Sequence, residues 1–294
     1  MSETRYGNLV KSLPFKDFAE GGFRQGSEMT SQWLNLPVNI RYGTYWMGGK
    51  MGSGQDQPHV HDYDQVLIWF GADMTDLGEL GAEIELTLGE DLETQMITVS
   101  TAVAIPRGMP HFPATIQRMD KRFFYMEISI AAQCSETVYV TDKKPVLASG
   151  FRTKYGKYIS ALSFRRKGAW YYGPTNRDDG GGSIAFVRTQ EMGFDFVMLY
   201  ENMKKAPYRL CPEPEKPHAH PTTQIMLFLG TDPEDISQFN AEFEICMGKE
   251  LEKHVFTQPT AVITPPFLPH WPGGLVKAKK PILMCDIHPF GNDH

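Results

Sequence analysis

Pro58-His59-Val60-His61-Asp62-Tyr63-Asp64-Gln65 and Pro217-His218-Ala219-His220-Pro221-Thr222-Thr223-Gln224 decide the fold of this chain. They are one pattern written twice, 159 residues apart (218 − 59). The same offset carries Gly71 onto Gly230, Asp73 onto Asp232 and Pro106 onto Pro265. It also carries Pro110-His111 onto Pro269-His270, and Pro113 onto Pro272. Each copy holds two histidines one residue apart, a glutamine, and a third histidine 52 residues after the first (111 − 59 and 270 − 218). The chain has 9 histidines in 294 residues, so this doubled pattern takes up six of a scarce residue type. A histidine set repeated in register is the signature of a metal site built twice.

The repeat reaches beyond the histidines. Tyr6-Gly7 through Phe15 echoes Tyr155-Gly156 through Phe164, at an offset of 149 (155 − 6). The second half therefore carries about ten extra residues before its histidines, assigned to a surface loop at Thr175 to Ser183 that contains Asp178-Asp179-Gly180-Gly181-Gly182. The expected division is 1–149, with an extended N-terminal arm, and 150–294, meeting near Ser149-Gly150.

Strand periodicity places the ligands. In a strand, residues i, i+2 and i+4 share a face. His59, His61, Tyr63 and Gln65 therefore line up, as do His218, His220, Thr222 and Gln224. The runs that follow, VLIWFG and IMLFLG, are apolar on both faces, as strands inside a sandwich are. Val38 to Trp46 alternates as a strand. Glu83-Ile84-Glu85-Leu86 and Glu242-Phe243-Glu244-Ile245 alternate as half-buried strands. Phe123 to Ile130 and Ile282 to His288 close each half. Short helices are expected only at Met74 to Leu80 and Glu234 to Phe239, and residues 1–35 read as an arm with little regular structure. Strand, turn and strand at short spacing, given twice, predict an all-β chain of two antiparallel sandwiches or barrels.

Composition agrees and sets limits. Hydrophobic residues at 41% and charged residues at 22% describe a soluble, core-forming chain. A net charge of −6 argues against a nucleic-acid partner held by phosphate neutralisation. No apolar run reaches the roughly 20 residues of a membrane span, and MSETRYGNLV holds no signal-peptide core. Cys134, Cys211, Cys246 and Cys285 form no CxxC pair, so neither a zinc knuckle nor a disulfide framework is expected, and a cytoplasmic setting is.

With these positions laid out, the chain resembles the cupin superfamily, specifically a bicupin of two tandem jelly-roll domains. His59-x-His61-x3-Gln65 and Gly71 match the first cupin motif, with Gln where Glu is usual and the gap to the glycine one residue short. Pro106-Arg107-Gly108-Met109-Pro110-His111 matches the second motif without its usual following Asn. In the second copy Phe267 takes the glycine position. The resemblance implies one metal on His59, His61, Gln65 and His111, and another on His218, His220, Gln224 and His270. Imidazole suits divalent Fe, Mn, Zn and Ni, with Fe2+ favoured here. It also implies a small-molecule substrate and allows a homodimer.

Glutamine for glutamate leaves the metal's charge uncancelled, which favours an anionic, chelating oxygen substrate. It also removes a built-in base, because an amide does not titrate. Tyr63 on the ligand face and Glu127 in the last strand are the candidate catalytic groups, and Arg107 the candidate substrate clamp. Glu83, Glu85, Glu242, Glu244 and Asp286 (the counterpart of Glu127) are candidates for orienting ligands. His254 and His288 read as structural, and His294 as a disordered terminus. The leading expectation is a non-haem Fe(II) dioxygenase that cleaves a C–C bond. A redox-neutral lyase, isomerase, decarboxylase or hydrolase is the rival, and a non-enzymatic metal or small-ligand binding protein the third reading.

Overall fold

A computed structural model describes residues 4–52, 57–148, 153–166, 181–209 and 216–291. The chain forms two compact units, Pro14–Leu162 with Thr189–Phe194, and Met1–Leu13 with Ser163–Arg188 and Asp195–His294. The expected junction at Ser149-Gly150 lies outside the described residues, as does residues 175–180 of the expected loop and His294. Gly181–Val187, which overlaps the end of that loop, is a strand.

In the first unit a seven-stranded sheet runs in the order Ile159–Ala161, Thr101–Ile105, Asp64–Gly71, Phe123–Ile130, Asn39–Tyr45, Phe23–Met29, Phe15–Glu20. A second sheet orders Thr137–Val138, His59–Val60, His111–Met119, Glu79–Leu88, Glu93–Val99 and Val146–Leu147. In the other unit Val10–Ser12, Thr260–Thr264, Gln224–Gly230, Ile282–His288, Val197–Met203, Gly181–Val187 and Arg165–Arg166 make the seven-stranded sheet. Tyr208–Arg209, His270–Ala278, Ala241–Met247 and Glu252–Phe256 make its smaller one.

Pairing is antiparallel in all of these except Val146–Leu147 against Glu93 and Thr94. The two Tyr-Gly repeats each supply an edge strand, Val10–Ser12 beside Thr260–Thr264 and Ile159–Ala161 beside Thr101–Ile105. Strands read as apolar on both faces are buried on both: Gln224–Gly230 throughout, and Asp64–Gly71 beyond its first residue. The cores gather around Trp69, Leu86 and Phe123 in one unit and Phe228, Phe243 and Leu275 in the other.

Gly71 and Gly230 end equivalent strands, and a Cβ there would lie 2.0 Å from the Glu79 carbonyl oxygen and 2.3 Å from that of Gln238. Backbone approach, not flexibility, is what these repeated glycines provide.

Two expectations are corrected. The segment within residues 1–35 is not an irregular arm: it holds three strands and a short helix, Ser31–Leu34, capped by Thr30 accepting from the Trp33 N–H at 3.2 Å. Gly21 and Gly22, both at positive φ, turn Phe15–Glu20 back onto Phe23–Met29. No helix forms at Met74 to Leu80 or Glu234 to Phe239. Aspartates there hold turns instead, Asp73 accepting from the Thr75 N–H at 2.9 Å and Asp232 from the Glu234 N–H at 3.1 Å.

Candidate metal centres

Register brings each histidine set together. His111 pairs directly with His59 across two strands, and His218 with His270. The next turn is tied down by the Gly108 N–H donating to the His61 carbonyl in one unit and the Phe267 N–H to the His220 carbonyl in the other, both at 2.8 Å. Ring centroids lie 4.2 Å apart for His59–His111 and 4.8 Å for His61–His111. In the other unit the separations are 4.5 Å for His218–His270, 5.1 Å for His218–His220 and 5.3 Å for His220–His270. There the three donor nitrogens all fall within 4.8 Å of one another.

Neighbouring carbonyls fix which nitrogen of a ring is bare. A carbonyl can only accept, so His111 Nδ1 donates to Met109 O at 3.0 Å and His270 Nδ1 to Leu268 O at 3.0 Å. Their Nε2 atoms are then lone-pair donors, buried and without a hydrogen-bond partner. His61 Nδ1 likewise donates to Tyr63 O at 2.7 Å, leaving its Nε2 as an acceptor 3.3 Å from Gln65 Oε1. The Gln65 amide nitrogen donates to Glu127 Oε1 at 3.0 Å and Ser129 Oγ at 3.1 Å, so the atom facing His61 is the carbonyl oxygen. Two acceptors confront each other with no proton between them, and a cation satisfies both.

Burial favours the neutral, ligating form of His111, His59 and His270. It drives His111 well below the ordinary imidazole value, with its histidine neighbours adding to the effect. It lowers His59 against the pull of Glu136, and lowers His270 to about 4. The residues present fit a divalent metal: His59, His61, His111 and Gln65 would hold one, and His218, His220 and His270 another.

No family model matches the chain, and no curated protein does. Solved structures do. The formate complex of oxalate decarboxylase from Lactobacillus farciminis superposes with a TM-score of 0.60 at 9% identity, over 97% of this chain and 87% of that one. A Bacillus subtilis oxalate decarboxylase, from work on its Mn(II) centres, gives a TM-score of 0.58 at 9% identity over 97% and 77%. The chain has the bicupin fold. At this identity the likeness concerns the fold and not the reaction.

Around the first candidate centre, Tyr63 stacks on His61 at 4.0 Å and 5°, with its hydroxyl directed at Cys134. Burial, with Cys134, pushes the Tyr63 hydroxyl far above the ordinary phenol value, so it steadies His61 as a neutral group. Glu127 accepts from Gln65 through one oxygen and from the Tyr125 hydroxyl at 3.1 Å through the other. Burial raises Glu127 above the usual carboxylate range, with Arg41 and Tyr125 offsetting only part of this. A cavity of about 250 Å³ opens beside it, lined among others by Glu28, Arg41, Glu127, Ser129 and Cys134.

At the second centre Asp286 accepts from the Gln224 amide at 2.8 Å. Burial pushes Asp286 up, but His288, Gln224 and His220 outweigh it and hold the carboxyl below its ordinary value.

Other expected site residues lie elsewhere. Arg107 is on the surface, its NH2 3.4 Å from Asp64, and does not face the cavity. Glu83 and Glu85 do not orient a histidine: they bond Arg118 at 3.0 Å and Gln117 at 2.7 Å on the outer face. Glu242 and Glu244 likewise pair with Lys277 and Lys253, both at 2.9 Å. The alternation that buries Ile84, Leu86, Phe243 and Ile245 turns these carboxylates outward.

Sequence reading missed Arg41, Ser129 and the aromatics following the third histidines. Phe112 stacks on His59 at 5.4 Å and Trp271 meets His218 at 6.0 Å. The 159-residue offset relating Phe112 to Trp271 was the signal that would have found that pair. His288, read as structural, stands against the second centre with its ring 5.1 Å from that of His220.

Proposed function

We propose that this bicupin is a metal-dependent enzyme whose first centre cleaves a C–C bond of a small, oxygen-rich carboxylate, with redox-neutral decarboxylation as its reaction. The observation that carries this reading is the pair of facing acceptors, His61 Nε2 and Gln65 Oε1, 3.3 Å apart beside a buried and unpartnered His111 Nε2. A divalent ion bound there supplies Lewis acidity and a site for substrate oxygens.

The chain's own groups do the rest. The cavity of about 250 Å³ has room for a small molecule and joins the centre through Glu127 and Ser129, which bond Gln65. Arg41, 3.9 Å from Glu28, is the cation on its wall that a substrate carboxylate would pair with. Loss of CO2 leaves an electron pair on carbon that must take up a proton. Glu127 lines the same cavity and is hydrogen-bonded to Gln65, so it stands at the right place to hold and deliver that proton. Tyr63 and Phe112 stack on the rings of His61 and His59 and hold their orientation. Support also comes from the solved bicupins named above, which are oxalate decarboxylases, one of them studied for its Mn(II) centres.

A second reading, oxygen-dependent C–C cleavage at iron, uses the same residues and rests on the neutral donor set, which leaves the full charge of the ion for a chelating anion. The test is metal content of anaerobically purified protein, followed by CO2 release and oxygen uptake on 2-oxo acids, dicarboxylates, diketones and catechols. Manganese with CO2 release and no oxygen uptake supports decarboxylation. Iron with oxygen consumption supports the second reading. Metal and ligand binding without turnover would leave a binding protein. Glu127→Gln should lower kcat by about 10²–10⁴-fold with the metal retained.

A further inference from the structure

The two centres differ in a matched set of residues. Thr264 stands where the first unit has Ile105 (264 − 105 = 159), and His288 where it has Ser129 (288 − 129 = 159). Gln65 pairs across the sheet with Ile105, which offers no side-chain hydrogen bond, and its carbonyl is left facing His61. Gln224 pairs with Thr264, whose hydroxyl donates to Gln224 Oε1 at 3.0 Å. The amide nitrogen of Gln224 donates to Asp286 Oδ2 at 2.8 Å. Both ends of Gln224 are thus engaged with side chains of the sheet.

His288 lies one residue beyond the Ile225–Ile287 cross-strand pair, so it is the immediate neighbour of Gln224. It is 1% exposed. Its ring is 5.1 Å from that of His220, the same separation as His218–His220 within the triad. Its Nε2 lies 3.4 Å from Asp286 Oδ1 and its Nδ1 3.4 Å from Thr222 Oγ1. His288 meets the triad on its His220 side and lies outside the three nitrogens that fall within 4.8 Å of one another, so as a ligand it would close in from one side of the centre. A carboxylate beside one nitrogen of such an imidazole is how proteins orient metal-bound histidines.

We propose that His288 is the fourth protein ligand of the second centre, positioned by Asp286, and that Gln224 serves there as a hydrogen-bonding strut. The second centre is then four imidazoles, and the first is three imidazoles and an amide oxygen. An all-nitrogen set favours Zn2+, Ni2+ or Cu2+, and the set with oxygen is the better host for Mn2+. This inference rests on reading both clusters as metal sites.

The test is calorimetric titration of metal-free full-length protein with Zn2+, and electron paramagnetic resonance of the Cu2+-loaded protein to count coordinated nitrogens. Wild type should take up two equivalents. His288→Ser should weaken one site by at least about 10–100-fold and remove one coordinated nitrogen, while Gln224→Leu changes neither affinity by more than about threefold. Thr264→Ile combined with His288→Ser recreates the pattern of the first unit and should restore binding through the freed Gln224 carbonyl. Adding Gln224→Leu to that pair should abolish it again. Retained binding at the first site, with an unchanged circular dichroism spectrum, shows that His288→Ser still folds. Loss of a site in Gln224→Leu with full binding in His288→Ser would overturn the assignment of His288 alone. No Zn2+ uptake by wild type would overturn the metal reading itself.

Discussion

The metal-free protein should lose stability as the pH falls from about 7 to about 4, through His270 in particular. In the fold this ring is buried, donates Nδ1–H to Leu268 O, and titrates at about 4. In the unfolded chain it titrates near 6.5. Between those values the unfolded state binds a proton that the native state refuses, so stability rises with pH across the window. Above about 6.5 both states are neutral and the contribution is complete; below about 4 both are charged and no more is lost. The difference of about 2.5 units, at about 1.4 kcal/mol each, amounts to about 3 kcal/mol. Urea unfolding at a series of pH values measures it, with His270→Gln as reference. Carboxylates that titrate in the same range contribute equally to both proteins, so the difference between the two curves isolates the imidazole. Wild type should fall relative to His270→Gln by about 3 kcal/mol on going from neutral pH to about pH 4. Parallel curves would refute the reasoning, because they would mean that the ring is solvated in the native state. Saturating Zn2+ should steepen the wild-type dependence, since protons and metal compete for the same lone pairs.

Gly71→Ala and Gly230→Ala should each cost about 1–3 kcal/mol or more in denaturant unfolding, because the new methyl meets a backbone carbonyl that cannot move aside. Replacing Glu83 and Glu85 together by Gln should leave metal content unchanged and alter stability by less than about 1 kcal/mol, as exposed ion pairs do. Arg41→Met should raise KM for a carboxylate substrate at least about tenfold, whereas Arg107→Ala leaves it unchanged. The reverse result would move the substrate from the cavity to the surface turn. Trp69→Ala, at a fully buried position, should cost about 3–5 kcal/mol and release the N-terminal core.

Much of the fold was legible because the repeat makes every signal appear twice. One apolar run of VLIWFG is compatible with a helix or a strand. Its recurrence as IMLFLG behind the same histidines and before the same glycine, at one offset, leaves the sandwich. What the pattern hid was local. Phe15–Glu20 and Phe23–Met29 carry charges at most outward positions and join through Gly21-Gly22, so a linear reading takes them for an arm. In D-M-T-D-L-G and D-P-E-D-I-S the side chain of aspartate competes with helix formation by accepting from the backbone two residues on.

The histidines of the site were legible from spacing. Arg41, Ser129 and His288 were not, because each lies on a different strand from the motif histidines: Ser129 and His288 beside the two glutamines, and Arg41 one strand further, opposite Glu127. Cross-strand adjacency follows from sheet order, which spacing along the chain does not reveal.

The replacement of glutamate by glutamine in both motifs bears on how the halves divide their work. An amide at the motif position cancels no charge on the ion, so a carboxylate must come from the substrate or from another strand. In the first unit the neighbouring acid, Glu127, has both oxygens taken up by Gln65 and Tyr125 and is pushed toward its neutral form by burial. Glu136, 3.8 Å from His59 Nε2, is 40% exposed and screened by solvent, Arg41 lines the cavity, and the remaining negative charge is left to a substrate. In the second unit Asp286 is held ionised by His288, Gln224 and His220, so negative charge is already built in next to the imidazoles. A centre that carries its own counter-charge binds its metal well and has less need of an anionic ligand. A centre that lacks one is completed by substrate. By that argument turnover should depend on the first centre, and His59→Ala should abolish activity while His218→Ala lowers metal content by one equivalent and leaves kcat within about threefold of wild type. Equal loss of turnover in both variants would mean that the two centres share the reaction.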